Sequence, residues 1–294
     1  MPSLSLLSTL SVAALAAAQA PSIKLKTYPD VLPLKYEFNP VIPAYWTGLP
    51  HHRRTPFAIS PDGTTGYIAY LDASGSGVHV EHLDPKTMKA KQPDVTIEGV
   101  KEAGGMVAHN RGFALLGNVA LPSGTANAPP DNTPVPAIFR YKNGKQKWKT
   151  FLGGPGVQSQ DGLSASPDMN GDIVYSPESE MYGAYFVVTD YQGSAAGHFG
   201  DAIQYVDFNG TLQVIEGATN NWGCSHNTGI AFEAAEEPPF ASVCSEDQGA
   251  IWLNTGGTGM SNAGAKISNE NVQNGAGNEA SKFRYLPSIP ASNR

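Results

Sequence analysis

The chain has 294 residues, a formal net charge of −7, a pI near 5.5, and more Gly and Pro than an average protein, at 32 and 23 residues. The acidic balance argues against nucleic acid as a partner, because phosphate binding needs clustered Lys and Arg. The Gly and Pro content predicts many turns in one large domain.

Residues 1–18 are predicted to be a cleavable export signal. An uncharged apolar run extends from Leu4 to Ala18 and ends in small residues, which suit the pocket of a signal peptidase. This run is too short to span a bilayer, and no later apolar stretch approaches the length of a spanning helix. We therefore expect cleavage after Ala18, a secreted extracellular protein, and no membrane partner.

A Pro-rich segment, residues 19–50, precedes the predicted repeats and ends next to a basic segment, His51–Arg54. Arg53 in that segment suits an anionic ligand such as a carboxylate, because a guanidinium binds carboxylates through paired hydrogen bonds. The alternative is a solvated run of charge without a ligand.

Strand-like alternation of apolar and polar residues dominates residues 51–255, and no amphipathic helix of useful length interrupts it. The fold class is therefore predicted to be all-β. The clearest predicted strands are 65–71, 78–83, 113–119, 137–141, 173–176, 185–190, 203–208 and 251–253.

Four segments repeat one pattern, in which a polar turn containing Gly precedes an apolar strand. Their starts are 49, 57 and 60 residues apart, close to the length of a four-stranded propeller blade. This period favours a β-propeller over a β-sandwich, the alternative all-β architecture, which would not need a long repeat. The segments are Ser60–Gly63, His109–Gly112, Ser166–Gly171 and His226–Gly229.

Residues 256–294 break the pattern, since they are rich in Gly, Asn and Ser and show little alternation. They are predicted to be an irregular C-terminal segment, either a partial blade or a truncated end. The chain would then hold about four to five blades of a longer propeller, because so few repeats leave a strand edge exposed.

The second and fourth repeats share a His-Asn pair just before a strand, where propeller binding sites usually lie. His can exchange a proton near neutral pH, whereas Asn and Arg bind hydroxyls and carboxylates. In the alternative interpretation, Asn and Gly form a turn and His satisfies a neighbouring blade. The catalytic candidates are His109, His226 and Arg111, and the binding candidates of the same turns are Asn110 and Asn227.

A long connection, Tyr191–Asp201, supplies His198 as a further binding candidate, since long loops on a rigid scaffold often carry function. A plain flexible loop is the alternative. His79 and His82 would point to opposite sides of a strand, which disfavours joint metal ligation. No metal motif is present and no cofactor is predicted, although a divalent cation such as calcium is left open.

Three covalent and turn features complete the pattern. Cys224 and Cys244 are predicted to lie opposite each other in a long hairpin and to form a disulfide in an oxidising compartment. Asn209 begins the sequon Asn-Gly-Thr and is a glycosylation candidate. The basic stretch Lys142–Lys149 contains Asn143-Gly144, a type I′ signal, and is interpreted as a solvated hairpin.

The phrase Ser60-Pro61-Asp62-Gly63, followed by Tyr67-Ile68-Ala69-Tyr70, resembles the strand-turn phrase of YVTN-type and WD40-like propellers. Together with the His-Asn repeats, the run Trp222-Gly223-Cys224-Ser225-His226 makes the chain similar to secreted fungal propeller enzymes of the rhamnose-glucuronate lyase type. Those enzymes have seven blades, more than this chain contains.

The second resemblance implies a polysaccharide lyase that acts on uronate-containing glycans by β-elimination. Arg111 or Arg53 would neutralise the uronate carboxylate, and His109 or His226 would remove the adjacent proton. The alternative is a non-catalytic sugar-binding or cell-surface interaction propeller, with contacts from aromatic residues such as Trp222 and from the Asn pairs. Either protein would be a monomer with a glycan ligand.

Overall fold

The computed structural model describes residues 34–38, 56–126, 128–129, 133–153, 171–189, 199–215, 230–245, 251–254 and 264–266. They all belong to one compact unit, Leu34–Arg294, while a second unit, Met1–Pro33, lies outside the described residues. Every regular element in the described ranges is a β-strand. Among these residues there is no helix long and apolar enough to cross a bilayer.

The first half of the unit forms two antiparallel four-stranded sheets. The first sheet consists of β1 (Phe57–Ile59), β2 (Gly66–Leu71), β3 (Gly77–Leu83) and β4 (Ala90–Glu98). The second sheet consists of β5 (Val100–His109), β6 (Gly112–Val119), β7 (Val135–Lys142) and β8 (Lys145–Phe151).

The second half forms two more four-stranded sheets of the same kind. The third consists of β9 (Gly171–Ser176), β10 (Met181–Thr189), β11 (Phe199–Asp207) and β12 (Leu212–Gln213). The fourth consists of β13 (Ile230–Glu233), β14 (Ala241–Ser245), β15 (Ile251–Asn254) and β16 (Gly264–Lys266).

In each sheet the strands pair in chain order, so each sheet is a meander of consecutive hairpins. A β-sandwich would instead distribute such strands between two sheets. Four successive meanders that pack face to face are the blade arrangement of a β-propeller. The all-β and propeller predictions are therefore confirmed, and the sandwich alternative is wrong.

The apolar core lies between the sheets. Every residue of β6 is buried. Because successive side chains point to opposite faces of a strand, both faces of β6 are therefore buried. Phe113 and Leu115 join a core with the first sheet, whereas Ala114 and Leu116 join a core with the third. Burial on both faces explains why this strand reads as a continuous apolar run.

The third and fourth sheets meet through a smaller contact. The Tyr205 and Phe240 rings pack edge to face with centroids 5.2 Å apart, and the Phe240 N–H donates to the Tyr205 hydroxyl at 2.8 Å. The Ser176 hydroxyl donates to the Glu236 carbonyl at 3.1 Å. A turn of the fourth sheet is thereby fixed to the third.

Several hairpin turns meet at one edge of the first two sheets, which we call the turn rim (Ser60–Thr65, Asn110–Arg111 and Asn143–Gly144). Asn143 and Gly144 have φ of 52° and 72°, as a type I′ turn requires, so the predicted hairpin is confirmed. The Lys91 ammonium donates to the Thr64 carbonyl at 2.8 Å, which ties β4 to the first turn.

Part of the Pro-rich segment, Leu34–Phe38, lies on the first sheet, and we call it the strap. Tyr36 stacks on His79 with ring centroids 4.0 Å apart, and the Lys35 N–H donates to the buried Glu81 carboxylate at 2.7 Å. Phe38 forms an isolated antiparallel bridge with Asp72. The strap therefore covers polar groups of the first sheet.

The expected hairpin register around the cysteines is wrong. β13 and β14 form a hairpin, but Cys244 lies opposite Ile230, because the hairpin is centred on Glu237, three residues beyond the midpoint between the two cysteines. Cys224 lies outside the described residues. The disulfide itself stays a prediction.

Candidate functional site

The turn between β5 and β6 carries three of the predicted site residues. His109 ends β5, and the exposed residues Asn110 and Arg111 form the turn. The Asn110 side-chain oxygen accepts from the Asp62 N–H at 3.0 Å, and the Arg111 carbonyl accepts from the Asn143 N–H at 2.8 Å. The turn is thus fixed between two neighbouring turns of the rim.

The His109 side chain lies between the second and third sheets, in a ring of aromatic residues. Its ring centroid is 4.9 Å from that of Tyr175, 5.7 Å from that of Tyr182, and 5.9 Å from that of Phe208. The Tyr182 hydroxyl lies 2.7 Å from His109 Nε2. His109 therefore packs against the neighbouring blade and hydrogen-bonds to it.

Arg140 is the buried charge next to this histidine. One of its terminal nitrogens donates to the Phe113 carbonyl at 3.0 Å and also to the Tyr141 carbonyl. The guanidinium also lies over the Phe208 ring, 5.5 Å from its centroid.

Burial, with a smaller contribution from the Arg140 charge, lowers the pKa of His109 to about 3. Burial also raises the pKa of Tyr182 above its usual range. At neutral pH both groups are therefore uncharged, and a hydrogen bond between neutral partners joins the Tyr182 hydroxyl to His109 Nε2. A base of such low pKa removes protons poorly at neutral pH.

The turn after β11 closes this cluster on its outer side. The Trp148 indole N–H donates to the Phe208 carbonyl at 3.1 Å, and the Thr150 hydroxyl donates to the Gly210 carbonyl at 2.6 Å. A Cβ on Gly210, whose φ is +94°, would fall 2.7 Å from the Trp148 ring. Glycine is therefore required here. Phe208 remains 38% exposed, so an aromatic surface is open to solvent.

Asn209, the sequon residue, lies in the same turn and is exposed. Its backbone N–H donates to the Asp207 carboxylate at 2.9 Å, and the Thr211 N–H donates to the same carboxylate oxygen at 2.9 Å. The side chain therefore stands on a firmly held turn. Glycosylation at Asn209 stays a prediction.

His79 and His82 belong to separate surroundings. His79 contacts the Asp72 carboxylate at 2.9 Å and the Thr96 hydroxyl at 3.0 Å, whereas the His82 ring packs edge-on against Tyr67, with centroids 4.6 Å apart. Burial lowers the pKa of His82. Within the described ranges, no group of three His, Cys, Asp or Glu side chains could hold a metal ion.

Most other predicted site residues lie outside the described residues, so nothing is said of their position relative to the rim. Cys244 is described only as part of β14. The residues outside are Arg53, His198, Trp222, Cys224, His226 and Asn227.

Sequence reasoning missed Arg140, Tyr175, Tyr182 and Phe208 as partners of His109. A signal for Arg140 existed, because it is the one charged residue within the otherwise apolar run Val135–Tyr141. A charge in a strand buried on both faces needs internal hydrogen-bond acceptors. The aromatic partners come from another sheet and had no local signal.

No family model matches the sequence, and no curated protein sequence matches it. Similar solved structures include the periplasmic gluconolactonase of Pseudomonas aeruginosa, with 11% identity, a TM-score of 0.42, and coverage of 75% of this chain and 56% of that one. TolB from Acinetobacter baumannii has 12% identity, a TM-score of 0.39, and coverage of 76% and 46%. A glycoside hydrolase family 43 arabinoxylan arabinofuranohydrolase from Bacillus subtilis has 14% identity, a TM-score of 0.33, and coverage of 67% and 47%. The chain spans about half the length of these structures.

Proposed function

We propose that this protein is a secreted, carbohydrate-active β-propeller that binds uronate-containing glycans at the turn rim. The observation that carries the proposal is the β5–β6 turn, where Asn110 and Arg111 are exposed. Two neighbouring turns hold it through the Asn110 side-chain oxygen and the Arg111 carbonyl, which leaves the Asn110 amide N–H groups and the Arg111 guanidinium for a ligand. Arg binds carboxylates and Asn binds hydroxyls, which are the two polar groups of a uronate. The predicted export signal and sequon are consistent with an extracellular glycan as ligand.

Aromatic surface beside the same turn supports a sugar ligand. Phe208 is partly exposed and contacts the ring of His109, which directly precedes Asn110. Aromatic faces pack against the apolar faces of sugar rings, while amide and guanidinium groups bind the sugar oxygens. Polar contacts from the rim and an aromatic contact from Phe208 are therefore available side by side.

Binding without turnover is the form that the described residues favour. With a pKa of about 3 and Nε2 occupied by Tyr182, His109 is a weak base for abstracting a proton at neutral pH. Non-catalytic recognition requires only the exposed Arg, Asn and aromatic groups.

A polysaccharide lyase is the second candidate, favoured by the exposure of Arg111, which forms no ion pair within the described ranges. Arg111 would neutralise the uronate carboxylate, and a base would remove the proton at the adjacent carbon. The bond from the neighbouring carbon to the glycosidic oxygen would then break, with a proton passing to the leaving sugar. We assign the base to His226, because the half-buried His109 already has its Nε2 in a hydrogen bond with Tyr182.

Calorimetric titration of the secreted protein with a polyuronate and with a neutral polysaccharide tests the proposal. We expect the polyuronate to bind, and Arg111→Ala to weaken it about tenfold through loss of a charge-assisted contact. Lys101→Ala is the matched control, since Lys101 is exposed on β5, away from the turn.

Ultraviolet absorbance of an unsaturated uronate product separates the two forms. Binding without absorbance change supports recognition alone. An increase that His226→Ala abolishes and His109→Gln preserves supports the lyase. Failure of wild-type protein to bind or cleave any uronate glycan would refute the proposed function.

A further inference from the structure

The turn after β11 places an exposed aromatic side chain directly before the glycosylation candidate. Phe208 precedes Asn209, and successive Cα atoms of a trans peptide are ~3.8 Å apart. Asn209 is exposed, and 38% of Phe208 is exposed as well. A sugar attached to Asn209 therefore starts within reach of the open part of the Phe208 ring.

Hydrogen bonds fix the backbone of this turn. The Phe208 N–H donates to the Glu180 carbonyl at 2.9 Å, and the Gly210 N–H donates to the Asp207 carbonyl at 3.0 Å. The Asn209 N–H donates to the Asp207 carboxylate at 2.9 Å. Little backbone order would therefore be lost when a glycan packs against the turn, which favours the contact.

The Phe208 ring is held in place as well. It is nearly parallel to the Tyr182 ring, with an interplanar angle of 8° and centroids 6.4 Å apart, and its centroid is 6.0 Å from that of Tyr175. These contacts, with those to His109 and Arg140, leave the rest of the ring as a fixed aromatic patch in solvent. Such a patch can pack against the apolar face of a sugar ring.

The same ring lies next to the turn rim. Phe208 contacts His109, and His109 directly precedes Asn110 and Arg111, the residues proposed to bind an external glycan. A sugar of the protein's own glycan that packs on Phe208 would occupy aromatic surface that the external glycan would otherwise use. The two sugars would then compete.

We propose that the first N-acetylglucosamine of an N-glycan on Asn209 packs on Phe208, so that the protein's own glycan restricts access of external glycans to the rim. The effect on access rests on the proposed function, whereas the contact with Phe208 does not. Glycan transfer joins the Asn209 amide nitrogen to C1 of the sugar, while the lipid diphosphate of the glycan donor leaves and the amide loses a proton.

The contact is tested on full-length protein secreted from eukaryotic cells and trimmed by an endoglycosidase to one N-acetylglucosamine. Thr211→Ala removes the sequon, and Thr211→Ser is the matched control that keeps it. We expect trimmed wild type and Thr211→Ser to melt about 2–4 °C above Thr211→Ala. This difference should vanish in a Phe208→Ser background, as a double-mutant cycle requires for two groups in contact.

A second measurement of the contact needs no change at Phe208. In NMR spectra of the trimmed wild type, the ring current of Phe208 should move the acetyl-methyl protons of the sugar upfield of their position in a free glycopeptide. Calorimetry with a polyuronate measures access to the rim. We expect Thr211→Ala to bind about threefold more tightly than the fully glycosylated wild type, and Thr211→Ser to bind as the wild type does.

The other outcomes separate this proposal from the proposed function. Absence of a glycan on Asn209 would overturn it, as would an unshifted acetyl-methyl signal together with equal melting temperatures in the cycle. A contact without any change in polyuronate affinity would overturn the restriction of access and leave the rim intact. Weaker binding by Thr211→Ala would overturn it too, because the glycan would then assist the ligand. If no variant binds a polyuronate, the proposed function is refuted, and the spectra and melting temperatures still decide the contact.

Discussion

Acidification should destabilise this protein through His109. The pKa of His109 falls from 6.5 to about 3 on folding, so between these values the unfolded chain binds a proton that the folded chain does not. Stability therefore rises with pH across this window and is lost as pH falls below about 6.5. From about pH 7.5 to about pH 5 the loss from this one residue is about 2 kcal/mol.

Urea unfolding of the wild type and of His109→Gln at the two pH values measures this loss. Gln does not titrate, and its amide oxygen can still accept from the Tyr182 hydroxyl. We expect the wild type to lose about 2 kcal/mol more than the variant on acidification, since the other titrating groups are common to both. Equal pH dependence of the two proteins would refute the neutral state of His109 in the folded protein. Lys101→Gln, at an exposed site, should behave as the wild type.

The remaining predictions concern the surroundings of this histidine. Gly210→Ala should lower the free energy of unfolding, measured in denaturant, by about 2–3 kcal/mol. The new Cβ would clash with the Trp148 ring, and alanine would have to adopt an unfavourable positive φ. Gly124→Ala, with φ of +80° and nothing within 4 Å, should cost only about 1 kcal/mol, and equal losses would argue against the Trp148 contact. Arg140→Met should cost about 3 kcal/mol, since buried carbonyls of Phe113 and Tyr141 lose their donor. It should also raise the pKa of His109, followed by NMR titration, and an unchanged pKa would contradict the role of the Arg140 charge. Asn209→Gln should remove one glycan mass when the protein is secreted from eukaryotic cells, and an unchanged mass would refute glycosylation there.

Local chemistry was enough to predict much of the fold. Strand β2 has alternating Tyr67, Ala69 and Leu71 in the core, and the sequence predicted a strand over nearly the same residues. The Asn143-Gly144 turn was predictable because few residues tolerate two successive positive φ values. These signals depend on neighbouring residues only.

Strands β4 and β5 were not predicted. β4 contains Lys91, Pro93 and Asp94, which weaken any strand signal. In β5, the Gly104-Gly105 pair reads as a turn. Gly105 is instead needed because β9 approaches so closely that a Cβ would lie 3.0 Å from the Ile173 nitrogen. That approach involves another sheet.

The candidate site was likewise predictable from the sequence only in part. The repeat pattern pointed to His109, Asn110 and Arg111, and the structure places them in one turn at the rim. The repeat pattern could not show that His109 points between two sheets towards Tyr182, which lies 73 residues away in the chain. The low pKa of His109, and with it the preference for binding over proton abstraction, follows from that contact.

The sequence by itself determined the all-β class, the blade period and the turn chemistry, since periodicity and permitted φ angles act within a few residues. Only the tertiary structure decided which faces of β6 are buried and which groups surround His109. Burial and electrostatic environment depend on the distances between sheets, and those distances arise from packing between segments far apart in the chain.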